Sequence, residues 1–222
     1  MTSRINSRNL LAFSFLLFGA AKLIFNEVKK DKVKSFFKTV DQRYNQEHYA
    51  ECEDMLLSYI HENAQDVSGW TYLGTVYLKQ RKDSLAKEAY QTSQNIEPNA
   101  KSLTGLGVIE RNRGNLSKAQ EFYEKAIDVD PNYGKAYSSL LIIELSKRNF
   151  QRAVELGEKG LELDSLDLGI KGNLMVAYHF TNKVKERDML LLELQKSNYR
   201  FLDNLRLIVS GDLSLDQIFP KH

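Results

Sequence analysis

The chain has 222 residues, 42% hydrophobic and 27% charged, an ordinary globular mix that excludes wholesale disorder. Its 31 basic and 29 acidic side chains nearly cancel, giving a net charge of +2, so no overall positive field indicates nucleic acid as the partner. A single cysteine, Cys52, excludes a disulfide framework within the chain and argues against a cysteine-based zinc site.

The amino-terminal segment is basic and contains an apolar stretch. Residues 1–40 carry eight basic and two acidic side chains, whereas the remainder of the chain carries 23 basic and 27 acidic ones. Sixteen residues, from Leu10 to Phe25, include one charge, Lys22. As a helix this stretch spans about 24 Å, slightly less than the ~30 Å hydrocarbon core of a bilayer. We therefore expect residues 1–30 to form an N-terminal membrane anchor, with residues 10–25 as its membrane contact.

Two alternatives remain for this segment. It is also compatible with a cleaved signal peptide, whose cleavage site would be the small residues 19–21, or with an apolar helix that docks on the rest of the protein. The lysine-rich sequence after Phe25 favours the anchor, because positive flanks stay in the cytoplasm. A single-pass anchor would then place the body in the cytoplasm, whereas cleavage would leave a periplasmic or secreted protein.

The body contains an internal repeat, first visible in the 33-residue interval between Pro98 and Pro131. The first copy has Trp70, Leu73, Gly74, Tyr77, Ala86, Tyr90 and Pro98. The second copy has Leu103, Leu106, Gly107, Glu110, Ala119, Tyr123 and Pro131. The third, looser copy has Tyr137, Leu140, Leu141, Glu144, Ala153, Gly157 and Ser165. This pattern resembles the tetratricopeptide repeat family, in which each repeat is a pair of helices.

The resemblance implies an all-α, TPR-like helix-pair solenoid, a superhelix between an N-terminal apolar helix and a C-terminal capping helix. Its repeats would span residues 31–198, in units of about 31–66, 67–99, 100–133, 134–167 and 168–198. Gly74 and Gly107 lack a Cβ, so we expect a neighbouring helix to approach closely there. Ser84 and Ser117 are the predicted N-caps of the second helices.

The last 24 residues, 199–222, are predicted to form a C-terminal capping helix from Tyr199 to Val209, followed by a tail. Stacked repeats leave an open apolar end that needs such a cover. A tail that docks on a partner is the alternative.

The sequence contains no recognisable catalytic or metal-binding constellation. His48 and Cys52 lie four residues apart on one predicted helix, but no further ligands stand nearby at a suitable spacing. We therefore expect no enzymatic activity, no cofactor and no metal.

The family resemblance implies that the first helices of the repeats line a concave groove that binds partner polypeptides. By position, the groove residues are Thr71, Tyr72, Thr75, Lys101, Thr104, Val108, Arg111, Lys135, Ser138, Ile142, Asn173 and Val176. The asparagines of the family's carboxylate clamp are missing, so we expect a neutral to mildly apolar protein or peptide segment. The predicted function is a membrane-tethered adaptor or scaffold that assists assembly or recruitment of a complex. The alternatives are a cleaved, periplasmic or secreted assembly factor, or a groove filled by water or by the chain's own terminus.

Overall fold

The computed structural model describes residues 27–218, and every regular element in that range is a helix. By its internal contacts the chain divides into two units, Met1–Leu56 and Leu57–His222, and the division falls within a helix.

The first unit contains α1, which the structure describes over residues 27–45, and the first half of α2, Tyr49–Glu62. Val40 of α1 and Cys52 of α2 are fully buried, and the Cys52 thiol lies 3.6 Å from the Val40 carbonyl oxygen. The rings of Tyr44 and Tyr49 meet edge to face, with their centroids 5.5 Å apart. Burial raises the pKa of Tyr44 to about 12.

The membrane anchor expected over residues 10–25 lies outside the described residues, as does the alternative cleavage site. Within residues 27–218, no helix combines the length and the apolar character needed to cross a bilayer.

The second unit is a series of antiparallel helix pairs. The pairs are α3 (Val67–Lys79) with α4 (Asp83–Ile96), α5 (Ala100–Asn112) with α6 (Leu116–Val129), α7 (Gly134–Ser146) with α8 (Phe150–Leu163), and α9 (Leu168–Phe180) with α10 (Val184–Lys196). Each second helix packs against the next first helix, and the first helices also contact one another in sequence. This arrangement is the predicted TPR-like solenoid, and the all-helical fold is confirmed.

The first and second helices of a pair begin in different ways. Three first helices have a side-chain N-cap, supplied by Asp66, Asn99 and Asp167. The predicted caps Ser84 and Ser117 are wrong, because α4 and α6 begin earlier and Ser84 and Ser117 are their second residues. In each of these two turns the backbone closes the connection itself. One example is the Lys82 amide, which donates to the Tyr77 carbonyl at 2.9 Å.

Glycines make room for buried tyrosine rings between the helices. A Cβ on Gly74 would lie 2.7 Å from the Tyr90 ring, and one on Gly107 would lie 2.4 Å from the Tyr123 ring. A Cβ on Gly105 would lie 2.3 Å from the same Tyr90 ring. Both rings are buried, and no real Cβ tolerates such distances, so the close approach predicted at Gly74 and Gly107 is confirmed.

The carboxy-terminal helix α11, Leu202–Ser210, packs on α9 and α10 through the buried side chains of Leu205 and Ile208. It ends at Gly211, whose φ of 84° is left-handed and suits a residue without a Cβ. The short α12, Leu215–Ile218, follows, and its Asp216 carboxylate pairs with the Arg148 guanidinium in the turn between α7 and α8.

Candidate partner-binding wall

The first helices α3, α5, α7 and α9, together with α11, form a row that we call the inner wall. Each helix in the row contacts the next, so the side chains between neighbours form shallow recesses. Two cavities occur in this row, one at each end.

The amino-terminal cavity lies between α3 and α5 and has a volume of about 230 Å³. The Lys101 ammonium lies 3.7 Å from the centroid of the Tyr72 ring, a cation–π contact between two residues that line the cavity. The amino-terminal cavity is lined by Val67, Ser68, Thr71, Tyr72, Asn99 and Lys101.

Thr71 belongs to a buried hydroxyl cluster behind this cavity. Its Oγ1 lies 2.7 Å from the Ser93 hydroxyl and 2.9 Å from the Ser102 hydroxyl. The Ser102 hydroxyl also donates to Ser93 at 3.0 Å, so the three groups close a triangle. Asn99 donates to Ser93 and also caps α5 by accepting from the Ser102 amide. The cluster therefore joins three helices, α3, α4 and α5, through polar contacts.

Thr104 occupies the same repeat position one unit later, but its hydroxyl is unsatisfied. The side chain is buried, and among the described residues Oγ1 has no hydrogen-bond partner. The residues equivalent to Ser93 and Ser102 are here Ala126 and Ala136, both fully buried. Thr104 thus carries a polar group into an apolar junction, and it lines neither cavity of the wall.

The carboxy-terminal cavity lies between α9 and α11 and has a volume of about 330 Å³. A Cβ on Gly172 would lie 2.9 Å from the Tyr199 hydroxyl, so the glycine admits the phenol beside α9. Burial raises the pKa of Tyr199, which keeps the hydroxyl protonated and able to donate. The lining residues are mostly apolar, with two amides: Gly172, Asn173, Val176, Tyr199, Phe201, Asn204, Leu205 and Ile208.

The charges on the inner wall are mainly positive between the two cavities. Glu110 and Glu144 are the only carboxylates on α3, α5, α7 and α9, and both are buried. Each accepts a hydrogen bond at 2.8 Å from an asparagine in the following turn, Asn115 or Asn149. The solvated charges on the wall include Lys101, Arg111 and Lys135, which are partly or fully exposed.

The predicted groove residues fall into three groups. Thr71, Tyr72 and Lys101 line the amino-terminal cavity, and Asn173 and Val176 line the carboxy-terminal cavity. Lys135 is exposed on the stretch between the cavities. The partly exposed residues are Thr75, Val108, Arg111, Ser138 and Ile142. Thr104 is buried and lines neither cavity.

Sequence reasoning missed the contribution of α11 to the wall. Asn204, Leu205 and Ile208 line the larger cavity, whereas the sequence favoured a cover for this segment, with docking on a partner as the alternative. The repeat spacing contained the signal, because 34 residues after Leu168, the start of α9, is Leu202, the start of α11. Residues 27–218 contain no group of three His, Cys, Asp or Glu side chains placed to hold a metal ion.

Stacked helix pairs of 33 to 34 residues, with glycines under buried tyrosines, define a tetratricopeptide-type solenoid. Residues 100–133, which comprise α5, α6 and the connection after them, match the tetratricopeptide repeat family model. Together with the fold, this match shows a tetratricopeptide-like repeat over residues 100–133 within a solenoid of the same type.

Known proteins share parts of this chain or its fold. The probable UDP-N-acetylglucosamine–peptide N-acetylglucosaminyltransferase SPINDLY of Solanum lycopersicum is 30% identical over 86 residues, or 38% of this chain. The chain spans only about a tenth of that relative, since the match covers 9% of its length.

Two solved structures show the same fold at low sequence identity. A thermophilic TPR protein from Thermus thermophilus superimposes with a TM-score of 0.63 at 18% identity, over 80% of this chain and 97% of its own. YrrB, described as a TPR protein with an unusual peptide-binding site, gives a TM-score of 0.52 at 12% identity, over 80% of this chain and 91% of its own.

Proposed function

We propose that the protein is a membrane-tethered adaptor or scaffold that binds a partner segment along the inner wall and assists assembly or recruitment of a complex. The observation that carries this proposal is the apolar cavity between α9 and α11, with its amide and phenol groups. The peptide-binding site of YrrB, a solved protein of the same fold, supports it.

The carboxy-terminal cavity suits an apolar anchor side chain, leucine or aromatic, from the partner. Its volume of about 330 Å³ lies at the lower end of the range of ligand sites, ~300–1,000 Å³. Burying one such side chain contributes about 1.5–3 kcal/mol. Asn173, Asn204 and the Tyr199 hydroxyl supply donors and acceptors for the backbone on either side of the anchor.

The stretch between the two cavities suits the remainder of a neutral to mildly apolar segment. Val108 and Ile142 offer partly exposed apolar surface, and Ser138 offers a hydroxyl. The buried, hydrogen-bonded Glu110 and Glu144 present no repulsive carboxylate, so the stretch between the cavities also tolerates acidic residues in the partner.

We assign no enzymatic activity to the wall. The lining of the carboxy-terminal cavity contains no carboxylate, imidazole or thiol, so it offers neither a general base nor an activated nucleophile. Binding is the chemistry that its residues support.

The tether rests on the apolar residues 10–25 and places the repeats in the cytoplasm, because lysines follow the stretch. Attachment to a membrane raises the local concentration of the wall around membrane-bound partners, so that modest affinity is sufficient. The alternative, a cleaved periplasmic or secreted protein, is recognised by mass: the mature protein would lack about 21 residues.

A displayed random-peptide library tests the binding site directly. We expect the selected peptides to share a leucine or aromatic residue and to bind Asn204→Arg at least about tenfold more weakly, because the long side chain enters the cavity. Asn95→Arg is the matched control, since Asn95 is exposed on the second helix α4. Peptides that share no apolar anchor, or that bind Asn204→Arg as well as the control, would refute the site.

A further inference from the structure

A row of lysines runs along α1 in the first unit. Lys30, Lys34 and Lys38 recur every four residues, a spacing that places side chains above one another on the same helix face. All three are exposed, and from first to last they span about 12 Å along the helix axis. They form a linear array of positive charge, which we call the lysine row.

An apolar side of α1 lies beside the row, about a quarter-turn away around the helix. Val40 is fully buried, and Val33 and Phe37 on the same apolar side are partly buried. The Phe37 ring also contacts the Phe36 ring edge to face, with centroids 5.2 Å apart. Because packing of this side fixes the rotation of the helix, the lysine row is presented outward.

The lysine row gives the start of α1 a net positive charge. Residues 27–38 carry five lysines against Glu27 and Asp31, a net charge of +3. An extended anionic partner would complement this net charge.

We propose that the lysine row binds the anionic headgroups of a lipid bilayer, and this inference rests on the proposed tether. Phe25 ends the apolar stretch only five residues before Lys30, so a membrane that holds residues 10–25 lies within reach of α1. Clustered lysines beside a membrane segment bind negatively charged lipid by electrostatic attraction. A nucleic acid fits less well, because the rest of the chain beyond residue 40 has four more acidic than basic side chains.

Vesicle flotation of the full chain tests the inference. The vesicles are pure phosphatidylcholine or contain about 30% phosphatidylglycerol, and the variant is Lys30→Gln/Lys34→Gln/Lys38→Gln. Lys118→Gln/Lys185→Gln/Lys196→Gln is the matched control, since it removes three exposed lysines from other helices and changes the net charge equally. We expect the wild type to prefer anionic over neutral vesicles by roughly 100-fold, the row variant to lose this preference, and the control to keep most of it. Added salt should reduce wild-type partitioning to the level of the row variant.

The outcomes separate the inference from the tether. Partitioning to neutral vesicles measures the contribution of residues 10–25. If it is absent while binding to anionic vesicles still depends on the lysine row, the tether is refuted and lipid binding by the lysine row is supported. Equal losses in the row variant and the control would overturn the inference, because only total charge would matter. Wild-type binding that ignores anionic lipid would overturn it, as would tighter, row-dependent binding to a DNA or RNA duplex.

Discussion

The threonines at equivalent positions of two consecutive repeats should respond in opposite directions to the same substitution. Valine replaces threonine with nearly the same shape and the same branching at Cβ, so helix propensity changes little. In Thr71→Val the hydroxyl that lies 2.7 Å from Ser93 and 2.9 Å from Ser102 disappears. The two serines stay bonded to each other, so we expect a loss of about 1–2 kcal/mol in the free energy of unfolding.

Thr104→Val removes a buried hydroxyl that has no partner among the described residues. Desolvation of that hydroxyl is not offset by a hydrogen bond, so its removal should stabilise the fold by about 1 kcal/mol. The two variants should therefore differ by about 2–3 kcal/mol although the substitution is identical.

Urea denaturation followed by far-ultraviolet circular dichroism measures the difference. The urea midpoint should fall for Thr71→Val and rise for Thr104→Val at an unchanged m-value. In a thermal melt followed in the same way, Tm should shift by about 2–4 °C per kcal/mol in a chain of this size. Equal shifts in the same direction would refute the reasoning, because the surroundings of the two hydroxyls would then make no difference.

Two further predictions concern packing and pH. Gly107→Ala should destabilise the fold by about 1–3 kcal/mol, because its Cβ would lie 2.4 Å from the buried Tyr123 ring. Gly134→Ala is the control and should not destabilise, since its Cβ would meet nothing closer than 3.6 Å; equal melting temperatures for both variants would contradict the packing. Burial, and to a lesser extent the nearby Arg187, lowers the pKa of His179 below 6.5. The unfolded chain then binds more protons, so the free energy of unfolding should fall as the pH drops below about 6.5, and His179→Asn should reduce that slope. A variant with the wild-type slope between about pH 7.5 and 5.5 would exclude His179 as its source.

The repeat spacing and the small and aromatic positions were sufficient to predict the fold. Gly74 lies under Tyr90 and Gly107 lies under Tyr123. Each glycine and its tyrosine belong to the same helix pair, so the sequence of one repeat contains both residues of the contact. The starts of α4 and α6 were not predictable from capping side chains, since backbone hydrogen bonds close those turns.

The residues of the inner wall could be predicted from their repeat positions, but the surroundings of each side chain could not. Thr71 and Thr104 are the same residue at the same repeat position, and their difference depends on Ser93 and Ser102 against alanines in the next junction. These neighbours lie 22 and 31 residues from Thr71, beyond any local pattern. The contribution of Asn204 depends on α11 packing beside α9, a tertiary contact that the 34-residue spacing indicates but that no local motif encodes.

Site-specific photo-crosslinking tests most directly whether the inner wall holds the partner. A photoreactive phenylalanine analogue is placed at Phe201, which lines the carboxy-terminal cavity and is 44% exposed, and separately at Leu166, which is 81% exposed between α8 and α9. Irradiation with a selected anchor-bearing peptide should give an adduct at position 201 that Asn204→Arg abolishes, and none at position 166. Adducts of equal yield at both positions, or at 166 alone, would contradict binding on the wall.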